Sequence, residues 1–413
     1  MRVDQATPST QLLRRMNAQA VLRFAVGHSV FNASNVIEAT GLTRSTVIGL
    51  CDYLIELGWI HQPEDARADP EYSKGRPARR FALRSDAGFV IGVDAGEHSI
   101  TAAVANLRGE VLGRVRRSYG DQRFDSAVRL SVTCDAIDTV LADCAVPIEK
   151  VLASVFGIPS PTDSDGHSPV GQDGYWASMN PGLSDAFVTY GRVVVENDAN
   201  LAAIAEQSVG IGQGTRSFAA LLSGERFGAG LIMDGVLIRG QHGGAGEMRV
   251  LDLVDGVGSA TGLAALARDW AQESKLTDAG GAASPMAELP RVDVTAESVL
   301  TAARNGDETS LAIVDRLGDR LARVCFVLAS LLDVERVILV GAIAVAAGPI
   351  IDRARTVLAE NFYAPIPEIA ASELGADAVV LGAIQRGLAL VQADPLGLVL
   401  VGLPLTATES VNL

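Results

Sequence analysis

The spacing of apolar residues changes near residue 86 of this chain. Before that point, apolar side chains recur every three or four positions, which is the period of an amphipathic helix. After it, short apolar runs of strand length alternate with helical segments, an order typical of α/β proteins. We therefore predict two domains with different folds, residues 1–85 and residues 86–413.

The first domain is predicted to begin with a helix over residues 11–26. Its apolar residues form a stripe that we expect to face the core, with the arginines of the same segment lying off the stripe. The stripe consists of Leu12, Leu13, Met16, Ala20, Val21, Phe24 and Ala25.

Two shorter helices are predicted to follow in a helix-turn-helix. Ser34 can cap a helix that runs through Thr40. Gly41 then supplies a tight turn, and Thr43 can cap the next helix, whose apolar residues recur at helical spacing. Those apolar residues are Val47, Leu50, Leu54 and Leu57.

The start of the third helix is the predicted DNA-reading surface. When its apolar residues face the core, the first turn faces outward, where a recognition helix meets base edges and phosphates. The candidate DNA contacts in this turn are Thr43, Arg44, Ser45 and Thr46. The alternative interpretation is a solvated helix face without a partner.

A basic hairpin is predicted after these helices. Residues 58–60 end the third helix and begin a strand, and residues 74–83 return as a second strand. Residues 63–73 form a polar, acidic tip between them. The Gly-Arg-Pro turn at the start of the returning segment presents Arg76 on a stiff platform that suits a minor groove or a phosphate, and Arg79 follows. The alternative is an exposed hairpin with incidental basic residues. Helices and hairpin together resemble a winged helix-turn-helix.

Apolar strands followed by glycine or acidic residues recur through the second domain. The first, at residues 89–96, ends in Asp94 and Gly96. Further strands are predicted at 100–105, 151–159, 193–196, 218–223, 229–233 and 337–341.

The charge of the chain is divided between the two domains. The net charge is −15, yet residues 2–84 contain 11 basic and 8 acidic residues, a net charge of +3. This leaves 23 basic and 41 acidic residues, a net charge of −18, for the remainder. An acidic body repels a phosphate backbone and helps to direct the basic end toward it, so a DNA contact is expected from the first domain alone.

The composition argues against secretion, membrane insertion and metal binding. The first 16 residues include three arginines and no apolar core of a signal peptide, and the apolar run at 337–351 is interrupted by glycines and a proline. The cysteines Cys51, Cys134, Cys144 and Cys325 show neither C-x-C nor C-x-x-C spacing. We expect a cytoplasmic protein with no metal, no cofactor and no membrane partner.

Several ordered motifs make the second domain resemble the ROK family, which groups sugar-responsive repressors with sugar kinases. They read GVDAG at 92–96, ENDAN at 196–200, GAG at 228–230, GGAGE at 243–247 and DAVVLGAI at 377–384. The resemblance spans the chain, including the winged helix-turn-helix that the repressor branch carries. It implies a two-lobed, actin-like fold of the hexokinase type, related to ribonuclease H, with a sugar in the cleft between the lobes.

The same resemblance implies the sugar-binding residues. Asp198 occupies the place of the aspartate that acts as general base in the kinases, and Asn197 would hydrogen-bond neighbouring hydroxyls. Glu247 would accept hydrogen bonds from others, and Asn180 is a further candidate contact. The alternatives are that Asp198 is a helix cap and that Glu247 is a solvated loop acid.

Two departures from the family pattern separate this chain from the kinases. Glu97 and Glu225 stand in the two loops that hold ATP phosphates in the family, where they add bulk and negative charge. In addition, residues 251–263 contain none of the cysteines and histidines that bind zinc in the family. We expect neither catalysis nor a zinc site.

The sequence thus predicts a transcriptional repressor whose cleft senses a sugar, a sugar phosphate or a related metabolite. A homodimer, or a dimer of dimers, would read an inverted repeat in double-stranded DNA, and ligand and DNA would each weaken binding of the other. Two alternatives stay open. One is a sugar kinase with an appended DNA-binding domain, and the other is a regulator that no longer binds sugar.

Overall fold

A computed structural model describes residues 8–63, 79–171, 174–277, 290, 293–364 and 366–397. The tip of the predicted hairpin and Arg76 lie outside these ranges.

The amino-terminal unit, called the head below, contains three helices and a small antiparallel sheet. The helices are α1 (Pro8–Val26), α2 (Ala33–Thr40) and α3 (Arg44–Glu56). The strands are β1 (Phe31–Asn32), β2 (Ile60–His61) and β3 (Arg80–Leu83), and β3 lies in the middle of the sheet. This sheet joins the helices through a shared core that includes Phe31, Phe81 and Leu54.

The caps of the head helices follow local sequence rules, with one correction. Thr43 caps α3 by accepting a hydrogen bond from the backbone N–H of Thr46 at 3.4 Å, and Gly41 ends α2 at φ 70°, so both predictions are confirmed. The prediction of Ser34 as the cap of α2 is wrong. Asn32 is the cap, because its side-chain oxygen already accepts from the N–H groups of Ser34 and Asn35.

The apolar stripe predicted for α1 is wrong in its first half. Leu12, Leu13 and Met16 are 59, 58 and 54% exposed, whereas the fully buried residues begin at Ala18 and continue through Ala25. These apolar side chains face away from the elements on which α1 packs, since Arg14 and Arg15 of the same turns contact Tyr53 and Asp394. Periodicity identified the helix but not how much of it is covered.

The remaining residues form two lobes built on sheets of the same order. The sheet of the first lobe runs β6-β5-β4-β7-β8, with strands β4 (Phe89–Ala95), β5 (Ser99–Asn106), β6 (Val111–Ser118), β7 (Val151–Ile158) and β8 (Arg192–Asn197). The sheet of the second runs β11-β10-β9-β12-β13, with β9 (Phe218–Ser223), β10 (Phe227–Met233), β11 (Val236–Ile238), β12 (Arg336–Val340) and β13 (Glu368–Ala371). In each, three strands are antiparallel and the last two pairings are parallel.

Helices pack on both sheets. Those that precede the second sheet are α4 (Ser126–Asp143), α5 (Tyr175–Met179), α6 (Leu183–Ala186) and α7 (Asp198–Val209). The later ones are α8 (Leu263–Thr277), α9 (Ala296–Arg304), α10 (Glu308–Leu332), α11 (Gly348–Asn361) and α12 (Ala378–Ala393). The predicted alternation of strands and helices, and the repeated sheet order expected of an actin-like fold, are therefore present.

Helix α12 lies at the centre of the body, against α7, β4 and β7. It approaches α7 so closely that a Cβ atom at Gly382 would overlap the carbonyl oxygen of Leu201. Among the described residues, one helical stretch, Gly375–Ala393, is long and apolar enough to cross a membrane by length and composition, but 56% of it is buried within the protein. Its apolar character is that of a core helix.

The head is attached to the end of α12 through α1. Arg15 and Gln19 donate hydrogen bonds to the carboxylate of Asp394. Arg23 donates to the last carbonyl groups of α12, those of Gln392 at 3.0 Å and Ala393 at 2.8 Å. A guanidinium suits the unsatisfied carbonyls and the negative dipole end of a helix C-terminus.

Candidate functional site

A cleft of about 440 Å³ separates the two lobes. Its walls come from the end of β4, the start of α7, the β9–β10 turn and the start of α12. The polar side chains that line it include Asp94, Glu97, His98, Arg116, Tyr175, Asn197, Asp198, Glu225, Arg226 and Glu247. This volume and this mixture of polar groups and aromatic rings suit a small polar ligand.

Asn197 ends β8 and Asp198 begins α7, and the two residues have different roles: one caps the helix and the other lines the cleft. Asn197 is the helix cap, since its side-chain oxygen accepts from the N–H of Asn200 at 3.1 Å. Asp198 begins the helix and faces the cleft, and one of its oxygens accepts from the N–H of Ala199 at 2.8 Å. Burial, together with the nearby Asp94, raises the pKa of Asp198 well above its usual value. The alternative interpretation made Asp198 the helix cap, but the residue that caps α7 is Asn197.

Glu196, the residue before this pair, holds it in place from beneath. Its buried carboxylate forms an ion pair with Arg239 at 2.7 Å and accepts from the side-chain amide of Asn200 at 2.9 Å. Glu196 is therefore fixed near the end of the strand. Asn197 and Asp198 follow it directly, so their backbone is fixed as well.

Glu247 reaches the cleft from the second lobe. It pairs with Gly228 as an isolated β-bridge, and the preceding Gly246 adopts φ 84°, which brings its backbone against that of Ala229. Burial raises the pKa of Glu247, with Arg249 and Arg226 opposing the shift. A half-buried acid in the cleft wall differs from the solvated loop acid that was the alternative.

Asp94 is a member of the site that the sequence did not single out. It lies near the end of β4 and lines the cleft. Burial raises its pKa to about 7, against the opposing effect of Arg116. The available signal was an acid followed by a glycine at a strand end, which is where ligands bind in α/β sheets.

Glu97 and Glu225, which stand where the family has phosphate-binding loops, are each neutralised by an arginine. Glu97 accepts hydrogen bonds from Arg123 at 3.2 Å and from the Tyr175 hydroxyl at 3.1 Å. Glu225 receives both terminal nitrogens of Arg268, at 2.7 and 3.0 Å, and this contact lowers its pKa. The charge repulsion expected from the sequence is therefore reduced, while the loops are filled by ion pairs that occupy their space.

His98 lies between these two glutamates and so between the lobes. Its Nε2 atom is 3.7 Å from Glu97 of the first lobe and 3.5 Å from Glu225 of the second. An aromatic pair, Tyr175 and Trp176, completes this side of the cleft, and Arg249 stacks on Trp176 at 4.8 Å. Sequence reasoning missed all of these contacts.

Asn180 lies outside the cleft lining. Its side-chain amide donates to the carbonyl of Gly166 at 2.9 Å and to the hydroxyl of Ser168 at 3.0 Å. Its donors are therefore already used to fold the loop that precedes α5.

A comparison with known proteins matches the model of the ROK family over residues 90–389. The chain belongs to the ROK family. It is 24% identical to a xylose repressor of Caldicellulosiruptor bescii over 57% of this chain and 58% of that one. It is also 24% identical to a glucokinase of Halalkalibacterium halodurans, over 71% of this chain and 93% of the glucokinase.

A solved structure extends this likeness to the head. The crystal structure of a ROK transcriptional regulator, a homologue of the E. coli MLC protein, superposes with a TM-score of 0.71 at 20% identity. It covers 94% of this chain and 99% of the other, so the shared fold continues into the first 85 residues. The chain spans 58% of the length of the xylose repressor, whereas its match to this regulator is nearly complete.

The candidate DNA contacts in the head of this ROK protein differ in their exposure and in their contacts within the protein. Thr43, Arg44 and Ser45 are exposed at the start of α3, and Thr46 is half-buried beside them. Arg79 is already engaged, because it forms an ion pair with Asp52 at 2.6 Å and lies 5.1 Å from the Phe81 ring. Arg44 is the cation best placed to meet a base edge.

Potential metal ligands in the described ranges come together at one place, which is not the cleft. Asp163, Asp165 and His167 lie close to one another in an exposed loop. One oxygen of Asp163 accepts the backbone N–H groups of the other two, each at 2.9 Å, as in an ordinary Asx turn.

Proposed function

We propose that this ROK protein is a sugar-responsive transcriptional repressor. The observation that carries the proposal is one chain that combines an exposed recognition-type helix with an interlobe cleft lined by Asn197, Asp198 and Glu247. Relatives named as repressors support this combination.

The head is proposed to bind double-stranded DNA as a winged helix-turn-helix, with its boundary at residue 85. In this proposal, α3 enters the major groove with Thr43, Arg44, Ser45 and Thr46, and the hairpin that includes Arg76 and Arg79 contacts the minor groove or the backbone. All six of these DNA contacts are proposed, and the exposure of Thr43, Arg44 and Ser45 supports the first three. A homodimer or dimer of dimers would then read an inverted repeat.

The cleft is proposed to bind a sugar or sugar phosphate. Asp198, Glu247 and Asn197 offer carboxylate and amide groups that replace the water contacts of hydroxyl groups, and Trp176 offers a flat apolar surface for a sugar ring. A ligand that prefers one arrangement of the lobes weakens DNA binding when DNA prefers the other, by the same factor in both directions.

Kinase activity is proposed to be lost, although Asp198 keeps the place of the catalytic base. Phosphate groups bind to small residues with free backbone N–H groups, whereas this cleft presents the Glu97–Arg123 and Glu225–Arg268 ion pairs at that place. The second candidate is a kinase with a DNA-binding head, which the likeness to glucokinases favours.

One pair of assays separates these candidates. A gel-shift on the DNA that flanks the protein's own gene, with D-xylose, D-glucose or N-acetyl-D-glucosamine, is expected to show a retarded complex that one sugar releases. A coupled assay with ATP is expected to show no sugar-dependent ADP. ADP formation that Asp198→Asn abolishes would establish the kinase. In a third assay, the melting temperature of the protein is measured with and without the same sugars. An unchanged melting temperature, together with a retarded complex that no sugar releases, would indicate a regulator that has lost sugar binding.

A further inference from the structure

Helix α10 contributes a buried arginine to the second lobe. Arg320 is 5% exposed, yet no carboxylate lies within ion-pair distance of its guanidinium in the part of the chain that the structure describes. Burying a charge without a counter-ion is costly, so such a residue needs strong compensating hydrogen bonds.

The compensation comes from backbone carbonyl groups of one loop. Arg320 donates hydrogen bonds to the carbonyls of Val257, Ser259 and Thr261, and also to the Ser259 hydroxyl at 3.2 Å. Three carbonyl oxygens of a five-residue stretch therefore converge on one cation. Burial lowers the pKa of Arg320, consistent with the absence of a nearby negative charge.

This loop, residues 257–261, is joined to the cleft wall at its carboxyl end. At its end, Phe227 donates to the carbonyl of Ala260 at 2.8 Å, and Gly262 donates to that of Glu225 at 2.9 Å.

Thr261, one of the residues held by Arg320, also forms a β-bridge with Arg226. Residues 260–262 thus hold the part of the wall that contains Glu225 and Arg226, both of which line the cleft. The position of that wall depends on the shape of the loop, and the guanidinium fixes the shape.

We infer that Arg320 is a positioning residue for ligand binding, which holds the second-lobe wall of the cleft in its binding geometry through the carbonyls of the 257–261 loop. The inference rests on the proposed function of the cleft as a sugar site. Arg320 itself does not line the cleft, so it would act through Glu225 and Arg226.

The planar guanidinium is specifically suited to this task. Its fork of N–H groups can reach several carbonyl oxygens at fixed angles, whereas a lysine ammonium is a point charge on a flexible stem. Arg316, one turn earlier on α10, provides a matched control, because it stacks on Trp270 at 3.9 Å and has no contact with the loop carbonyls.

Hydrogen–deuterium exchange of the full-length protein tests the first half of the inference. In Arg320→Ala, the amides of Phe227 and Gly262 are expected to exchange at least about tenfold faster, because the first donates to Ala260 inside the loop that the guanidinium holds and the second ties the end of that loop to Glu225. Methylguanidinium is expected to restore protection to within about twofold of wild type by entering the vacated space. Arg316→Ala should leave both amides unchanged, and Arg320→Lys should give a partial loss if Arg320→Ala fails to fold.

Unchanged exchange at both amides would overturn the inference. So would acceleration of equal size throughout the protein, for example along α4, because that result describes a general stabilising role. Failure of methylguanidinium to restore protection would also count against a specific role of the guanidinium.

Sugar binding tests the second half. Among D-xylose, D-glucose and N-acetyl-D-glucosamine, any sugar that binds the wild type is expected to bind Arg320→Ala at least about tenfold more weakly and Arg316→Ala equally well. Unchanged affinity in Arg320→Ala, with the loop loosened, would overturn the positioning role. If the wild type binds none of the three, the proposed sugar response fails, while the exchange experiment still decides whether Arg320 shapes the wall.

Discussion

The start of α3 in the head and the cleft between the lobes both concentrate polar side chains, but in opposite surroundings. Thr43, Arg44 and Ser45 are exposed, and Arg44 forms no ion pair with any described residue. In the cleft, Glu97 and Glu225 are each fastened to an arginine from a distant segment. The side chains of the first surface are available to a partner, whereas these two glutamates of the cleft are held by ion pairs within the protein.

Because of this difference, substitutions on α3 and in the cleft are expected to affect different properties of the protein. An exposed side chain on α3 contributes little to folding, so replacing it should change DNA binding alone. The buried acids of the cleft are held against their preference for water, so changes there should alter stability and ligand binding together. Four substitutions test this contrast.

The largest effect is expected where the cleft elements join. Gly382→Ala places a methyl group against the backbone of α7, which cannot move aside without shifting Asp198, and should lower the free energy of unfolding by about 3 kcal/mol or more. The matched change on the head, Gly49→Ala, has open space around it and should raise stability by about 0.5–1 kcal/mol. Urea unfolding measures both, and equal effects would contradict the contrast.

Arg44→Ala should come next, with an effect on DNA alone. Loss of a contact between the guanidinium and a guanine should reduce discrimination between operator and unrelated DNA by about 1–3 kcal/mol, with an unchanged melting temperature. Binding titrations against both DNAs measure the ratio, and Arg304→Ala, an exposed arginine of the body, serves as control. An equal loss on every sequence would make Arg44 a phosphate contact.

Asp94→Asn should change how stability depends on pH. The folded pKa of about 7 lies above the unfolded value of 3.8, so the folded protein retains a proton that the unfolded chain releases. The stability that the neutral Asp94 carboxyl contributes is therefore lost as pH rises from about 4 to about 7, and this contribution does not change further above that. The substitution should raise stability by about 1–2 kcal/mol at pH 8, after allowance for water in the open cleft, and by less at pH 5. An equal gain at both pH values would show that charge is not the cause.

The smallest effect is expected at the ion pair between α3 and the start of β3. Asp52→Asn removes the exposed partner of Arg79, so stability should be almost unchanged. The released arginine and the lost negative charge should together strengthen DNA binding about two- to fivefold at low salt. Weaker binding would indicate that Asp52 aligns Arg79 for its contact. Asp138→Asn, on the body, provides the control.

Features set by neighbouring residues could be predicted from the sequence. The strand predicted at 218–223 has the bounds of β9, and Thr43 caps α3 through a residue three positions away. Such features depend on local apolar runs and short-range hydrogen bonds, which the order of residues specifies directly.

Features set by distant packing could not be predicted. Glu225 is neutralised by Arg268, 43 residues further along the chain, and Arg320 binds carbonyls about 60 residues before it. The exposure of Leu12 likewise depends on where the other elements pack against α1. The resemblance to the ROK family therefore indicated Asp198 and Glu247 but not the pairing that determines the charge of the cleft.

The first residues of helix α12, Ala378 and Val379, line the cleft. Its last carbonyl groups accept hydrogen bonds from Arg23. Its 16 residues form a stiff rod about 24 Å long. Because Arg15, Gln19 and Arg23 fasten α1 to the far end of this rod, one rigid element links the wall of the cleft to the packing of the head.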